Sequence, residues 1–250
     1  MVRELIVAVA SAAIALIVFV VGDRLRPKSW HGVDEDPAGA LLLDMIKTFF
    51  TAVIAFIFVV CWQQYDDARK NTVVEANALV ETYWAAHSMP GPDGQRIQDL
   101  VRDYTTGVLE VEWPVMDHDR QLSGQVQRTL DSLRQAVGQI DSPDPNIGNL
   151  RSSAMSSLEQ VSKARSERGV TASHGIPGFL YTLLYIATVL LLFTPVLSAV
   201  RVTGRSTLMI GLLGMVVGSA LLLIHELDYP FSGGDIVSRD AFEFARSRFQ

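Results

Sequence analysis

Four apolar segments, grouped as two pairs on either side of a polar stretch of about 110 residues, constrain this chain more than any other feature. They run from Leu5 to Gly22, Gly39 to Trp62, Ile176 to Val200 and Ser206 to Leu227. A helix rises about 1.5 Å per residue, so roughly 20 apolar residues cross a hydrocarbon core about 30 Å thick. Each segment meets that requirement. The expectation is therefore an all-α membrane protein with four transmembrane helices in two pairs flanking a helical bundle. The parts are a first pair over residues 1–62, a soluble bundle over 63–174, a second pair over 175–228 and a C-terminal tail over 229–250.

Charge separates the regimes. Between Gln63 and His174 there are 11 Lys and Arg against 16 Asp and Glu, a net of −5 within a chain total of −6. An acidic middle region argues against a nucleic-acid face, which needs clustered cations. The lone cysteine, Cys61, can form no intrachain disulfide and sits at the end of the second apolar segment. Arg3 ahead of an alanine-rich run resembles a leader peptide. The run nevertheless continues through Phe19, Val20 and Val21 into Gly22, Asp23 and Arg24 without a small-x-small cleavage site, so an uncleaved first helix is expected.

Positive charge sets the expected orientation. With the N-terminus in the cytoplasm, an even number of spans places the bundle and both termini there, in a multi-pass protein of the cell membrane. The cytoplasmic flanks then carry Arg3, Arg69, Lys70, Lys163, Arg165, Arg168, Arg239, Arg246 and Arg248, against Arg24, Arg26, Lys28, Arg201 and Arg205 outside.

The middle region carries helical periodicity. Apolar residues recur at three- and four-residue steps over Val73 to His87, Ile97 to Val111, Leu122 to Ile140 and Ile147 to Val161. Four amphipathic helices are predicted, with breaks at Met89 to Gly94, at Trp113-Pro114 through Asp119, and at Asp141 to Asn146. Trp113 is expected to anchor a helix end. The first of these helices should continue from the second apolar segment, and the last should run into the third.

Within this pattern stand Val74-Glu75-Ala76-Asn77-Ala78-Leu79, Tyr83, Met89-Pro90-Gly91-Pro92, Tyr104 and Glu110-Val111-Glu112-Trp113-Pro114. Downstream come Ala164-Arg165-Ser166-Glu167-Arg168 before Ile176-Pro177, and Leu227-Asp228-Tyr229-Pro230-Phe231-Ser232-Gly233 after the last apolar segment. From about Leu41 to Phe244 the chain resembles the bacterial and plant membrane proteins that carry a bestrophin-like domain of unknown function. The resemblance marks Glu75, Asn77, Glu112, Trp113, Arg165, Arg168, Asp228, Pro230 and Phe231 as family-motif residues. Kinship with bestrophins implies a homo-oligomer, a pentamer by that analogy, acting as an anion channel with four membrane helices and a large helical cytosolic part. The bestrophin pore-neck and calcium-clasp sequences have no match here, so conduction and calcium gating do not carry over residue by residue.

A pore-lining helix must present one stripe to the ion path, often with an apolar constriction. The second segment is the natural candidate. Asp44, Lys47 and Thr51 form a polar entrance near its start, and Phe49, Val53, Phe56 and Ile57 are candidate pore or gate residues. The alternative is that these apolar side chains face lipid or another helix, and that Asp44 and Lys47 are an interfacial pair. In the fourth segment Gly211, Gly214 and Gly218 make a small-residue face suited to close helix packing, within or between subunits. Pro195 should kink the third. Glu226 and Asp228, near His225 and before the turn at Pro230 to Gly234, are weak metal candidates beside a docking or ion-pairing role. Salt bridges from Glu75, Glu110 and Glu112 to Arg165 and Arg168 are also expected.

No phosphate loop, Cys/His metal spacing, Gly-x-Ser-x-Gly elbow or convergent His/Asp/Ser set is present, and the five histidines are scattered. The sequence thus points away from an enzyme and implies no cofactor. Two readings stay open: a homo-oligomeric small-anion channel lined by the second helix, or a non-conducting scaffold or accessory subunit whose acidic bundle binds a membrane-protein partner. Both are embedded in the lipid bilayer.

Overall fold

A computed structural model describes residues 2–25, 37–198, 200, 202–232 and 237–249, and every regular element among them is helical. Helix α1 spans Val2–Leu25, α2 Pro37–His87, α3 Pro92–Gly107, α4 Trp113–Asp119, α5 Gly124–Gly138, α6 Pro145–Ser173, α7 Gly178–Leu197, α8 Gly204–Asp228 and α9 Asp240–Ser247. A π-helical turn, Val108–Glu112, lies between α3 and α4. Four helices, α1, α2, α7 and α8, are long and apolar enough to cross a membrane. The flanking cations Arg26, Lys28 and Arg201 and the turn residues Gly233 and Gly234 lie outside the described residues.

The chain forms two compact units, Met1–Trp62 with Ile176–His225 and Gln63–Gly175 with Glu226–Gln250. In the membrane unit, Ala15 and Phe19 of α1 pack with Val196 of α7 and Ile210 of α8. Lipid is as apolar as these side chains and supplies no hydrophobic drive, so close backbone approach has to hold the helices together. Glycines provide it. A Cβ at Gly22 would lie 2.6 Å from a Val196 methyl, and one at Gly214 would lie 2.5 Å from Ala15 Cβ and 2.9 Å from the Ser11 carbonyl. A Cβ at Gly218 would collide with the Ser11 side chain, whereas Gly211 meets Leu16 at ordinary contact distance. The glycine face of α8 therefore packs against α1 of the same chain.

In the bundle unit, the periodic faces of α2, α3, α5 and α6 meet in one core that includes Leu79, Ile97, Val101, Leu133, Val137, Leu158 and Val161. Helix capping agrees with the sequence: Ser123 caps α5 by accepting from the Gln125 amide, and Asp144 caps α6 by accepting from Asn146. The α2–α3 turn is tight. Gly91 has φ +89°, and a Cβ on Gly94 would fall 2.5 Å from the Ala86 carbonyl oxygen, so both glycines are required by the backbone path.

Three expectations change. No break occurs at Trp113-Pro114: the helical path continues through the π turn, where the Trp113 amide bonds to the Val108 carbonyl five residues back. The altered register already disturbs carbonyl pairing there, so a proline without an N–H costs least at this point. Trp113 accordingly anchors no helix end and is buried in the core. Next, α6 does not run into α7. It stops at Ser173, and His174 adopts an extended conformation three residues ahead of Pro177, the N-cap of α7. Finally, the segment set off as a tail is core: Phe231, Val237, Phe242, Ala245 and Phe249 are all buried with the bundle.

Gly218→Ala should lower stability by about 1–3 kcal/mol, the usual cost of overpacking. Thermal unfolding of the purified protein in detergent measures this, and Ser11→Gly in the same chain should restore most of the loss.

Candidate functional site

The bundle core holds a charge network assembled from α2, α3, the π turn and α6. Arg168 is fully buried and donates through Nε to Glu75 Oε2 at 3.0 Å and through Nη2 to Glu75 Oε1 at 2.9 Å. Nη2 also reaches Glu112 Oε1 at 2.7 Å, and Nη1 contacts the Met116 sulfur at 3.3 Å. Arg165 donates to the other oxygen of Glu112, to the side-chain carbonyl of Gln127 and to the Ser123 carbonyl at 3.1 Å. The Ser123 amide bonds Glu112 Oε2 at 3.0 Å, and the Tyr104 hydroxyl donates to Glu75 Oε1 at 2.6 Å. Two carboxylates thus meet two guanidinium groups, and the formal charge of the cluster is zero.

The π turn explains the convergence. One extra residue in the helical path lets Glu112, Trp113 and Met116 continue the buried face begun by Ile97, Val101, Tyr104 and Val108. Aromatic side chains close the cluster. Trp113 meets Phe231 and Phe242 edge-on with centroids 5.8 and 6.0 Å apart, and the Arg168 guanidinium lies 5.7 Å from the Phe242 centroid.

Burial would by itself lower the pKa of Arg168, but Glu75 and Glu112 outweigh it and the net shift is upward. The arginine remains charged throughout the accessible pH range. Burial pushes the Tyr104 phenol well above its usual value, and the neighbouring Glu75 carboxylate pushes it further. Such a phenol stays protonated in the folded chain, whereas the unfolded chain releases that proton near pH 10. The stabilisation is full below about pH 10 and is lost as pH rises beyond it.

The family-motif residues do not all join this cluster. Glu75, Glu112, Arg165 and Arg168 form it, and Trp113 and Phe231 pack around it. Glu110 is exposed and stands apart from the arginines. Asn77 is exposed on α2, beside Ser238 and Asp240. Pro230 is buried at the turn after α8. Asp228 is fully buried and lies against Gly175, where an added Cβ would come within 2.6 Å of its carboxylate. Glu226 is half-buried, and no group of three or more His, Cys, Asp or Glu among the described residues is placed to hold a metal.

On α2 of the membrane unit, the candidate lining residues divide. Val53 and Ile57 are 7% and 0% exposed in the folded chain, and Phe50 and Cys61 are buried with them. Val53 and Ile57 are thus packed within the chain. Phe49 and Phe56 are 46% and 59% exposed and lie seven residues apart on one flank, together with Met45. Lys47 Nζ bonds Asp44 at 3.0 Å, and the Thr51 hydroxyl donates to the Lys47 carbonyl, so the polar entrance residues are satisfied within their own helix.

This arrangement defines a four-span, all-α membrane protein with a helical bundle locked by a buried ion-pair network. The bestrophin-like domain family matches residues 9–242, and the chain belongs to that family. Solved structures agree at the level of fold. A bacterial bestrophin homologue from Klebsiella pneumoniae is 15% identical, with a TM-score of 0.62 over 99% of this chain and 96% of that one. A point variant of a Klebsiella pneumoniae homologue gives a TM-score of 0.65 at 13% identity, over 99% and 97% of the two chains. None of the curated proteins matches the sequence.

Tyr104, Ser123, Gln127 and Phe242 complete the cluster, and of these the sequence motifs mark Tyr104 alone. Tyr104 shares the period of Ile97 and Val101, and Phe242 shares a helical face with Ala245. Periodicity marks such residues as buried but does not reveal that a hydroxyl among them donates to a carboxylate from another helix.

Arg168→Met should cost about 3–5 kcal/mol, because two carboxylates would remain buried with an incomplete set of partners. Arg168→Lys should recover only part of this, since an ammonium cannot make the bidentate pair. Thermal melts followed by circular dichroism test both. The same melts taken from pH 8 to 11 should show a shallower alkaline loss of stability in Tyr104→Phe than in the native chain.

Proposed function

We propose that this protein is a homo-oligomeric small-anion channel in which α2 lines the conducting path. The observation that carries the reading is the division of α2 into a packed face, Phe50, Val53, Ile57 and Cys61, and an outward flank bearing Met45, Phe49 and Phe56. Membership of the bestrophin-like family supports a channel-like membrane protein. Several copies placing this flank around one axis would create a narrow apolar passage with phenylalanine rings at two levels, a form of constriction that gates by dewetting. The proposed assembly is a pentamer. The plasma membrane is the proposed location, with the bundle and both termini on the cytoplasmic side as the cation count favours. No catalytic role is assigned.

Chloride efflux from liposomes containing the purified protein tests the proposal. Phe56→Glu should reduce flux about tenfold or more, equivalent to about 1.4 kcal/mol of added barrier. Phe56→Ala should increase it by widening the constriction. Absence of flux from a symmetric, well-folded oligomer under several ionic conditions, including added calcium, would instead favour the accessory-subunit reading.

A further inference from the structure

The outer surface of α5 and α6 carries a cleft of about 250 Å³ whose lining includes Gln127, Leu130, Arg134, Ser162, Arg165 and Ser166. We propose that it binds a small oxyanion of the phosphate class. Its described lining includes no residue of α2, and binding there does not depend on conduction.

Its chemistry is that of a donor-rich recess. Two guanidinium groups and two hydroxyls line it, and no carboxylate is among the described lining residues. Arg165 is the buried anchor: its side chain is 5% exposed, and its Nε, also buried, has no hydrogen-bond partner among the described residues. A charged donor left unpaired inside a protein is costly unless something supplies an acceptor. Its Nη2 is occupied by Glu112 and the Ser123 carbonyl, and its Nη1 meets Gln127 Oε1. Gln127 is held from outside the cleft, where its amide nitrogen donates to Asp131 at 2.9 Å. It is exposed and can swing aside, freeing Nη1 for an incoming oxygen. Arg134 supplies the second cation and is linked to Ser162 by a 3.2 Å hydrogen bond. Arginine forks with adjacent hydroxyls match the several oxygens of a tetrahedral anion better than they match a spherical halide.

The site also resolves the position of Arg165 in the network. Glu112 divides its two oxygens between Arg165 and Arg168, and Glu75 serves Arg168 and Tyr104. Arg165 is thus the less fully committed cation, and it is the one that lines the cleft.

Calorimetric titration of the purified full-length chain in detergent with sodium phosphate, against sodium chloride at matched ionic strength, tests the proposal. One saturable phosphate site is expected, with chloride bound at least about tenfold more weakly, reflecting the lost bidentate geometry. Arg134→Gln should weaken phosphate binding about tenfold or more by removing one charged fork, while leaving the melting temperature of the anion-free protein unchanged because Arg134 is exposed. Ser166→Asp, also at an exposed position, should abolish binding by placing a carboxylate in the recess. A short-chain phosphatidic acid, titrated in parallel, separates a lipid headgroup from a free phosphate; binding of either that is weakened by Arg134→Gln and abolished by Ser166→Asp upholds the site. No saturable heat, equal affinity for chloride, or unchanged affinity in the two variants would overturn it.

Discussion

Everything in the bundle unit is arranged around one arginine. Arg168 carries a full charge in a place where a bare charge is not tolerated, and it persists there because Glu75 and Glu112 neutralise it from two directions. The consequence is topological. Glu75 lies on α2, Glu112 at the end of the π turn and Arg168 on α6, so a wrong register in any of the three would strand a buried ion. Hydrophobic packing alone tolerates small slides between helices, whereas a bidentate pair flanked by a second carboxylate does not. The aromatic side chains of Trp113 and Phe242 add area around the pair and keep water away from it.

How much of this could be read from the sequence depends on the range of the interaction. Helix periods and proline breaks are local, and the boundary between α2 and α3 and that between α5 and α6 fall at Pro90-Gly91-Pro92 and at Pro143-Asp144-Pro145. The four apolar spans follow from length and composition. Pro114 was misleading because its usual effect assumes an α-helical register, and the π turn changes the register just before it. The residues after α8 were misleading for another reason: Phe231, Phe242 and Phe249 are too widely spaced to resemble a core segment, yet each fills space beside Trp113 or Tyr83.

The candidate site shows the same division. That Glu75 and Glu112 would pair with Arg165 and Arg168 was legible from complementary charge, but the depth of the pair was not, because burial is decided by residues 29 to 93 positions away. In the membrane segments, Phe49, Phe50, Phe56 and Ile57 are alike in composition, and only packing separates them. Consecutive residues differ by about 100° around a helix, so Phe56 can face outward while Ile57 is sealed inside. Sequence can name the stripes without choosing between them.

Electrostatics places a limit on how the proposed channel would discriminate between ions. Lys47 is paired with Asp44, and it is the one lysine or arginine between Pro37 and Trp62, so the membrane part of α2 offers an anion no isolated cation. Discrimination would then rest on the cost of stripping water from the ion between phenylalanine rings, not on fixed charge. Weakly hydrated anions bear that cost most easily, and a multivalent oxyanion bears it least. A cluster such as Arg134 and Arg165 is the opposite environment, with charged donors replacing the hydration that the apolar constriction removes. Passage and retention thus call for different surfaces, and this fold supplies them from different residues.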